Sequence, residues 1–205
     1  MASKYESFLV LLPLIIILFT LRPSLAADAD TLYDFIAPPN TTVDGEFFTY
    51  TGLRSFIGAT PPNFTVYKAT MAQLPALNGQ SVSYAALFYP PGSVNPTHTH
   101  PRVSELLFLL VGCLEVGFVD TTNHLFTQIL QQGDIFVFPK GLVHYQYNPD
   151  GQNPAIALSA FGSASAGTVS IPSAVFNTSI DDPVLAASFK TDVATIRQLK
   201  YGLSH

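Results

Sequence analysis

Three of the five histidines in this chain fall in two short stretches that also carry a carboxylate and several turn-forming residues. His98 and His100 stand one residue apart in NPTHTHPRVSE, with Glu105 five positions beyond, and His144 follows in GDIFVFPKGLVHYQYN. Histidines at i and i+2 point to one face of an extended strand. Glu105 lies an odd number of positions further on, so a straight strand would send it to the other face. Pro101 breaks the ladder between them and permits a bend that brings the carboxylate back. His144 comes after the tight Pro139-Lys140-Gly141 turn, at the start of a returning strand. Three neutral imidazoles and one carboxylate form a mixed nitrogen and oxygen set that binds a divalent metal and leaves positions open for water or substrate. Such a set suits manganese or iron in near-octahedral geometry, and zinc less well if the carboxylate stays bound. A single histidine there would read as an ordinary polar residue at a strand end; four donors together, punctuated by glycine and proline, point to a metal ion.

The elements needed to position these residues are short strands. From Asn63 onward, apolar runs alternate with turn residues, which predicts strands over Phe64–Thr70, Val82–Tyr89, Ser104–Val111, Leu114–Asp120, Leu125–Leu130, Ile135–Phe138, Leu142–Asn148, Ala155–Phe161 and Thr168–Ile171. Regular short strands of this kind predict an all-β sandwich or barrel rather than alternating βαβ units. Two short helices should close the chain. The first would be capped by Asp182 with Pro183 at its first position, and the second by Thr191, with Val193, Ile196 and Leu199 at helical spacing. The stretch 27–62 has no clear period and reads as an irregular arm, with one short strand near Glu46–Tyr50. Residues 63–205 then form a single domain with a helical tail.

Met1–Ala26 reads as a secretory signal peptide, with Lys4 at the start, an apolar run over Phe8–Leu21 and a small-residue cleavage site at Ser24-Leu25-Ala26. The run is too short for a spanning helix and is closed by Arg22-Pro23, so no membrane partner is expected after its removal. The formal net charge of the full chain is −5, and loss of Lys4, Glu6 and Arg22 with the leader makes it one unit more negative. No basic run exists, which argues against a nucleic-acid partner. Cys113 is the only cysteine, so no internal disulfide can form; its apolar neighbours predict a buried, inert thiol. Sequons at Asn40, Asn63 and Asn177 agree with export and offer sites for N-glycans. No nucleophile elbow appears, and Lys140-Gly141 reads as turn chemistry rather than a phosphate loop. His124 reads as a solvated turn residue, and Phe136, Phe138, Tyr145 and Tyr147 read as sheet packing.

Two patterns span these stretches: G-x5-H-x-H-x4-E-x6-G from Gly92 to Gly112, and G-x5-P-x-G-x2-H-x3-N from Gly133 to Asn148. They resemble the two motifs of the cupin superfamily. The text NPTHTHPRVSE, VGFVDTTN and GDIFVFPKGLVHYQYN is similar to plant germin-like proteins over nearly the whole mature chain. The resemblance implies a β-jelly-roll barrel holding one manganese ion through His98, His100, Glu105 and His144. It further implies a glycoprotein of the apoplast or cell wall, defence-related in some members, assembled as a homohexamer from three dimers.

The activities implied by the family are superoxide dismutation and, in true germins, oxidation of oxalate by O2. This leaves three readings open: a manganese superoxide dismutase acting on a small dioxygen-derived anion, an oxalate oxidase on the same site, and a non-catalytic binding, receptor or storage protein. The chain departs from the family twice. The arm has Ile36 where germins carry the first cysteine of a pair, so it must be held by packing. Oxalate oxidases present two asparagines to the substrate; Asn95 matches one, where it would orient a bound anion, but Ala85 stands at the other. Loss of that amide should weaken dicarboxylate binding by about 1–3 kcal/mol.

Overall fold

The computed structural model describes residues 31–203; the expected signal peptide and His205 lie outside them. Ten strands form two five-stranded antiparallel sheets, in the order β1-β2-β9-β4-β7 and β10-β3-β8-β5-β6. The strands are β1 (Thr65–Ala69), β2 (Ser83–Tyr89), β3 (Val94–Thr99), β4 (Glu105–Val111), β5 (Cys113–Val119), β6 (Leu125–Gln131), β7 (Ile135–Phe138), β8 (Val143–Tyr147), β9 (Ala155–Phe161) and β10 (Val169–Ser170). This is the all-β barrel of the cupin jelly-roll kind, and most expected strands lie within a residue or two of the observed ones. Among the described residues no helix is long and apolar enough to cross a membrane.

The inward faces follow the period-2 rule and grade from apolar to polar. On β4, Leu109, Leu107 and Glu105 all point inward and are buried; on β9, Ala155, Ala157 and Ser159 do the same. Leu87, Tyr89, Leu114, Val116, Leu130 and Phe138 complete the apolar end. The polar end of the barrel is therefore built from the same strands as its core, which gives the site a rigid support.

Several expectations are corrected. No strand forms at Glu46–Tyr50: the arm makes turns there, followed by a 3₁₀ turn at Gly52–Phe56. It is held by Phe35, Phe47 and Phe48, whose rings meet at centroid distances of 4.9 to 6.5 Å, and by Phe56 against Tyr67 of β1. The expected strand at Thr168–Ile171 shrinks to β10, because Ile171 opens the helix α1 (Ile171–Phe176), capped by Ser170. Helix α2 (Asp182–Phe189) begins one residue earlier than the capping pattern suggests, with Asp181 at the N-cap. In α3 (Val193–Leu203) the capping carboxylate belongs to Asp192, which accepts from the Thr195 amide at 2.9 Å, rather than to Thr191. Cys113 is half-buried, at the start of β5, where full burial was expected. Asn40, Asn63 and Asn177 are all exposed.

Candidate metal centre

The strand β3 carries too little apolar sequence to be recognised from composition, yet it delivers His98. It pairs antiparallel with β8, and the register sets His98 directly opposite His144, with ring centroids 4.1 Å apart. His100 follows just past the end of β3, on the same inward face. The bend at Pro101 then takes the chain across to the other sheet, where Glu105 opens β4. Convergence thus comes from a change of sheet, which the odd spacing between His100 and Glu105 accommodates. The Gly141 amide donates to the His100 carbonyl at 3.1 Å and ties the two motifs together, with Gly141 at φ +77°. A side chain would be strained at that angle.

The four donor atoms lie within 4.8 Å of one another, and all four residues are buried. Glu105 Oε2 stands 3.1 Å from His100 Nε2 and 3.2 Å from His144 Nε2. His98 Nδ1 lies 2.8 Å from the Pro96 carbonyl, and His144 Nδ1 lies 2.8 Å from the Leu142 carbonyl. A ring nitrogen facing a carbonyl must carry hydrogen, so each ring in its neutral form presents the Nε2 lone pair to the cluster. Ser159 donates to Glu105 Oε1 at 2.6 Å and leaves Oε2 for the cluster. Phe138 stacks on His144 at 4.5 Å, and Phe161 meets His100 edge-on at 4.9 Å, which fixes the ring planes.

These side chains fit a metal ion on their own chemistry. His144 Nε2 and Glu105 Oε2 stand 3.2 Å apart, a pairing that needs a proton or a cation between them, and a shared metal ion supplies the latter. Burial, and then electrostatics with the neighbouring His144 ring, lower the His98 pKa from 6.5 to about 4, so this imidazole is neutral at neutral pH, the form that coordinates. Burial alone would raise Glu105, but hydrogen bonds from His100 and His144 outweigh it and bring the carboxyl to about 2.

The His98 shift makes the metal-free protein acid-sensitive. An imidazole whose pKa falls to about 4 on folding leaves the unfolded chain binding more protons between that value and 6.5. Stability should therefore be constant above pH 6.5 and fall as pH drops toward 4, by about 3 kcal/mol from this group. The Glu105 contribution is present above its ordinary pKa of 4.5 and fades only as pH falls through about 2. Urea unfolding of chelator-treated protein should show a midpoint that declines from pH 7 to pH 4.5; a flat midpoint would contradict the burial of a neutral His98.

A cavity of about 260 Å³ opens beside the cluster, lined by His98, His100, Glu105, Asn95, Ala85 and Phe161, among others. Asn95 donates one amide hydrogen to Gln146 Oε1 at 2.5 Å. Gln146 is buried two residues beyond His144 on the same face of β8, and also receives the Tyr89 hydroxyl at 3.5 Å. Strand alternation would have identified both Gln146 and Ser159 as inward polar residues; that Ser159 meets Glu105 follows only from the pairing of β9 with β4. Glu115 stays outside the cluster and accepts from the Tyr145 hydroxyl at 2.8 Å. His124 lies in an exposed turn against Phe126.

The comparisons with known proteins agree with this architecture. The Cupin family model matches residues 59–197. A germin-like protein 9-3 from Oryza sativa subsp. japonica is 56% identical over 208 residues, covering 97% of each chain. A rhicadhesin receptor from Pisum sativum is 41% identical over 170 residues, covering 81% of this chain and 77% of the other. Among solved structures, an oxalate oxidase superposes with a TM-score of 0.76 at 28% identity, covering 86% of this chain and 98% of its own. With both motifs on one barrel and full-length relatives at this identity, the chain belongs to the plant germin-like proteins of the cupin family.

Proposed function

We propose that the chain is an extracellular manganese protein in which His98, His100, Glu105 and His144 ligate the ion and superoxide is the substrate. The observation that carries this reading is the convergence of four buried donors, three of which, His98, His100 and Glu105, also line the cavity. Bound there, manganese would supply one-electron redox chemistry, so that two superoxide anions and two protons become dioxygen and hydrogen peroxide. The chain's residues bind, orient and exclude. Three neutral imidazoles and one carboxylate leave a divalent site with net positive charge, which favours an anion. The free amide hydrogen of Asn95 is placed to orient that anion. Val66, Ala85, Leu87 and Phe161 wall the cavity and restrict its contents to small molecules. Protons reach the cavity from solvent.

The first 26 residues direct export to the apoplast and are removed, and glycans attach at the exposed Asn40, Asn63 and Asn177. The mature chain assembles as a hexamer of three dimers. In support, Leu106, Ile135 and Val137 form an exposed apolar row on the outer face of β4 and β7 that a second copy would cover.

Metal analysis of protein purified from a secreting host tests the reading. About one manganese per chain with superoxide turnover is expected; zinc without manganese or iron would overturn it. Manganese without turnover would favour a binding role, the alternative that the Pisum sativum receptor supports. The other alternative, oxalate oxidation, is favoured by the solved oxalate oxidase and opposed by Ala85, a buried methyl in the cavity wall. Ala85→Asn restores an amide donor there and should raise oxalate turnover about tenfold, on the scale of one buried hydrogen bond. No increase in an oxalate-dependent peroxide assay would sink that explanation of the departure.

A further inference from the structure

The cavity has a cation at its mouth that the metal reading leaves unused. Lys68 of β1 sits directly across from Ala85 of β2. Val66, two residues earlier, packs against the core, so Lys68 shares the inward face and lines the cavity with His98, His100 and Glu105. Ala85 ends at a methyl, which leaves room beside it on the cavity wall. Lys68 is exposed, so its stem lies along the wall while the ammonium reaches water at the opening. Among the described residues the ion pairs belong to His100, His144, Arg197 and Lys200, and Lys68 has none.

A second, independent feature stands beside it. Ser83 lies two residues before Ala85 on the same face of β2 and lines the same cavity. Its side chain is 1% exposed, and its hydroxyl has no hydrogen-bond partner. A buried hydroxyl without a partner is uncommon in a folded protein and points to something that completes it. Lys68, across from Ala85, and Ser83, two residues before it, thus bring two donors to one wall of the cavity, the number that the two oxygens of a carboxylate accept.

We propose that Lys68, at the cavity opening, and Ser83, deeper on the same wall, form an anion subsite that binds the carboxylate of a small organic acid. The subsite rests on the metal reading only in that the far end of the acid would point toward the four-donor cluster. Binding by the two donors themselves does not require the ion. A lysine and a serine thus replace the amide recognition that Ala85 cannot provide, and they shift selectivity toward small acids with one carboxylate near the opening.

Calorimetric titration of sodium glycolate into wild-type, Lys68→Met, Lys68→Arg and Ser83→Ala proteins tests this at low ionic strength, with manganese content measured for each. Lys68→Met should weaken glycolate by about tenfold, as expected for loss of a charge-assisted hydrogen bond, while manganese content stays at the wild-type level. Lys68→Arg should restore most of the affinity, and Ser83→Ala should weaken it severalfold. Equal affinity in wild type and Lys68→Met, or no glycolate binding by the wild type at millimolar concentration, would overturn the subsite. A wild type that takes up no metal would overturn the metal reading instead, and the same comparison on metal-free protein would still decide the subsite.

Discussion

Replacing His98 with alanine is expected to reduce bound manganese to background and to abolish superoxide removal by the purified protein. His98 is one of only four donors, and no other histidine or carboxylate joins the cluster among the described residues. Loss of a residue that merely supports a ligand commonly costs about 10–100-fold in metal affinity, so loss of a ligand should cost more. The same variant makes a second prediction that separates metal loss from misfolding. With His98 gone, the metal-free protein lacks the group that resists protonation between pH 6.5 and about 4. Its stability should then be flatter over that range than that of the metal-free wild type, although lower at pH 7 because a buried ring is missing. Metal analysis, superoxide assay and urea titration at two pH values read all three effects. Full manganese retention, or turnover that survives complete metal loss, would show that the site is wrongly assigned.

The donors of this site were legible in the sequence because each sits next to a turn or a bend that restricts where it can point. Their support was less so. NPTHT has no apolar run to mark it as a strand; the histidine spacing alone implies an extended form, and the pairing of β3 with β8 that holds it joins segments about 50 residues apart. Ser159 approaches Glu105 from β9, and nothing local to either residue announces the contact. The arm failed as a strand for another reason. Glu46–Tyr50 has suitable residue types, but it pairs with no strand, and its phenylalanines cluster with one another and with Phe35 instead. Helix α1 was missed because IPSAVF is short and rich in β-branched residues, so its helicity comes from Ser170 and from packing rather than propensity. Lys68 did carry a signal: a lysine at an alternating position within the apolar strand TVYKA is either a register error or a residue with a task.

Asn148→Ala is expected to destabilise the fold by about 3 kcal/mol, the upper end for leaving buried hydrogen-bonding groups unsatisfied. Asn148 closes the second motif, yet it lies outside the metal cluster. It is fully buried, and its two amide hydrogens are shared among the carbonyls of Tyr89 at 3.1 Å, Pro90 at 3.1 Å and Asn153 at 2.9 Å. Its carbonyl oxygen accepts from the Asp150 amide at 3.0 Å, and its own backbone amide donates to Ser93 at 2.9 Å. One side chain therefore joins the end of β2, the turn that leads into β3 and the turn after β8. Alanine would leave those carbonyls without the amide and open a small void. For a domain of this size the melting temperature should fall by about 10 °C. Asn148→Asp should fare no better, since it sets carboxylate oxygens against three carbonyls. Because none of the four donors is removed, the folded variant should still bind one manganese well below its melting point. A shift of only one or two degrees in a thermal scan would show that the network is dispensable. Metal loss in the folded variant would show that the β2–β3 turn, rather than the β3–β8 pairing, sets the position of His98.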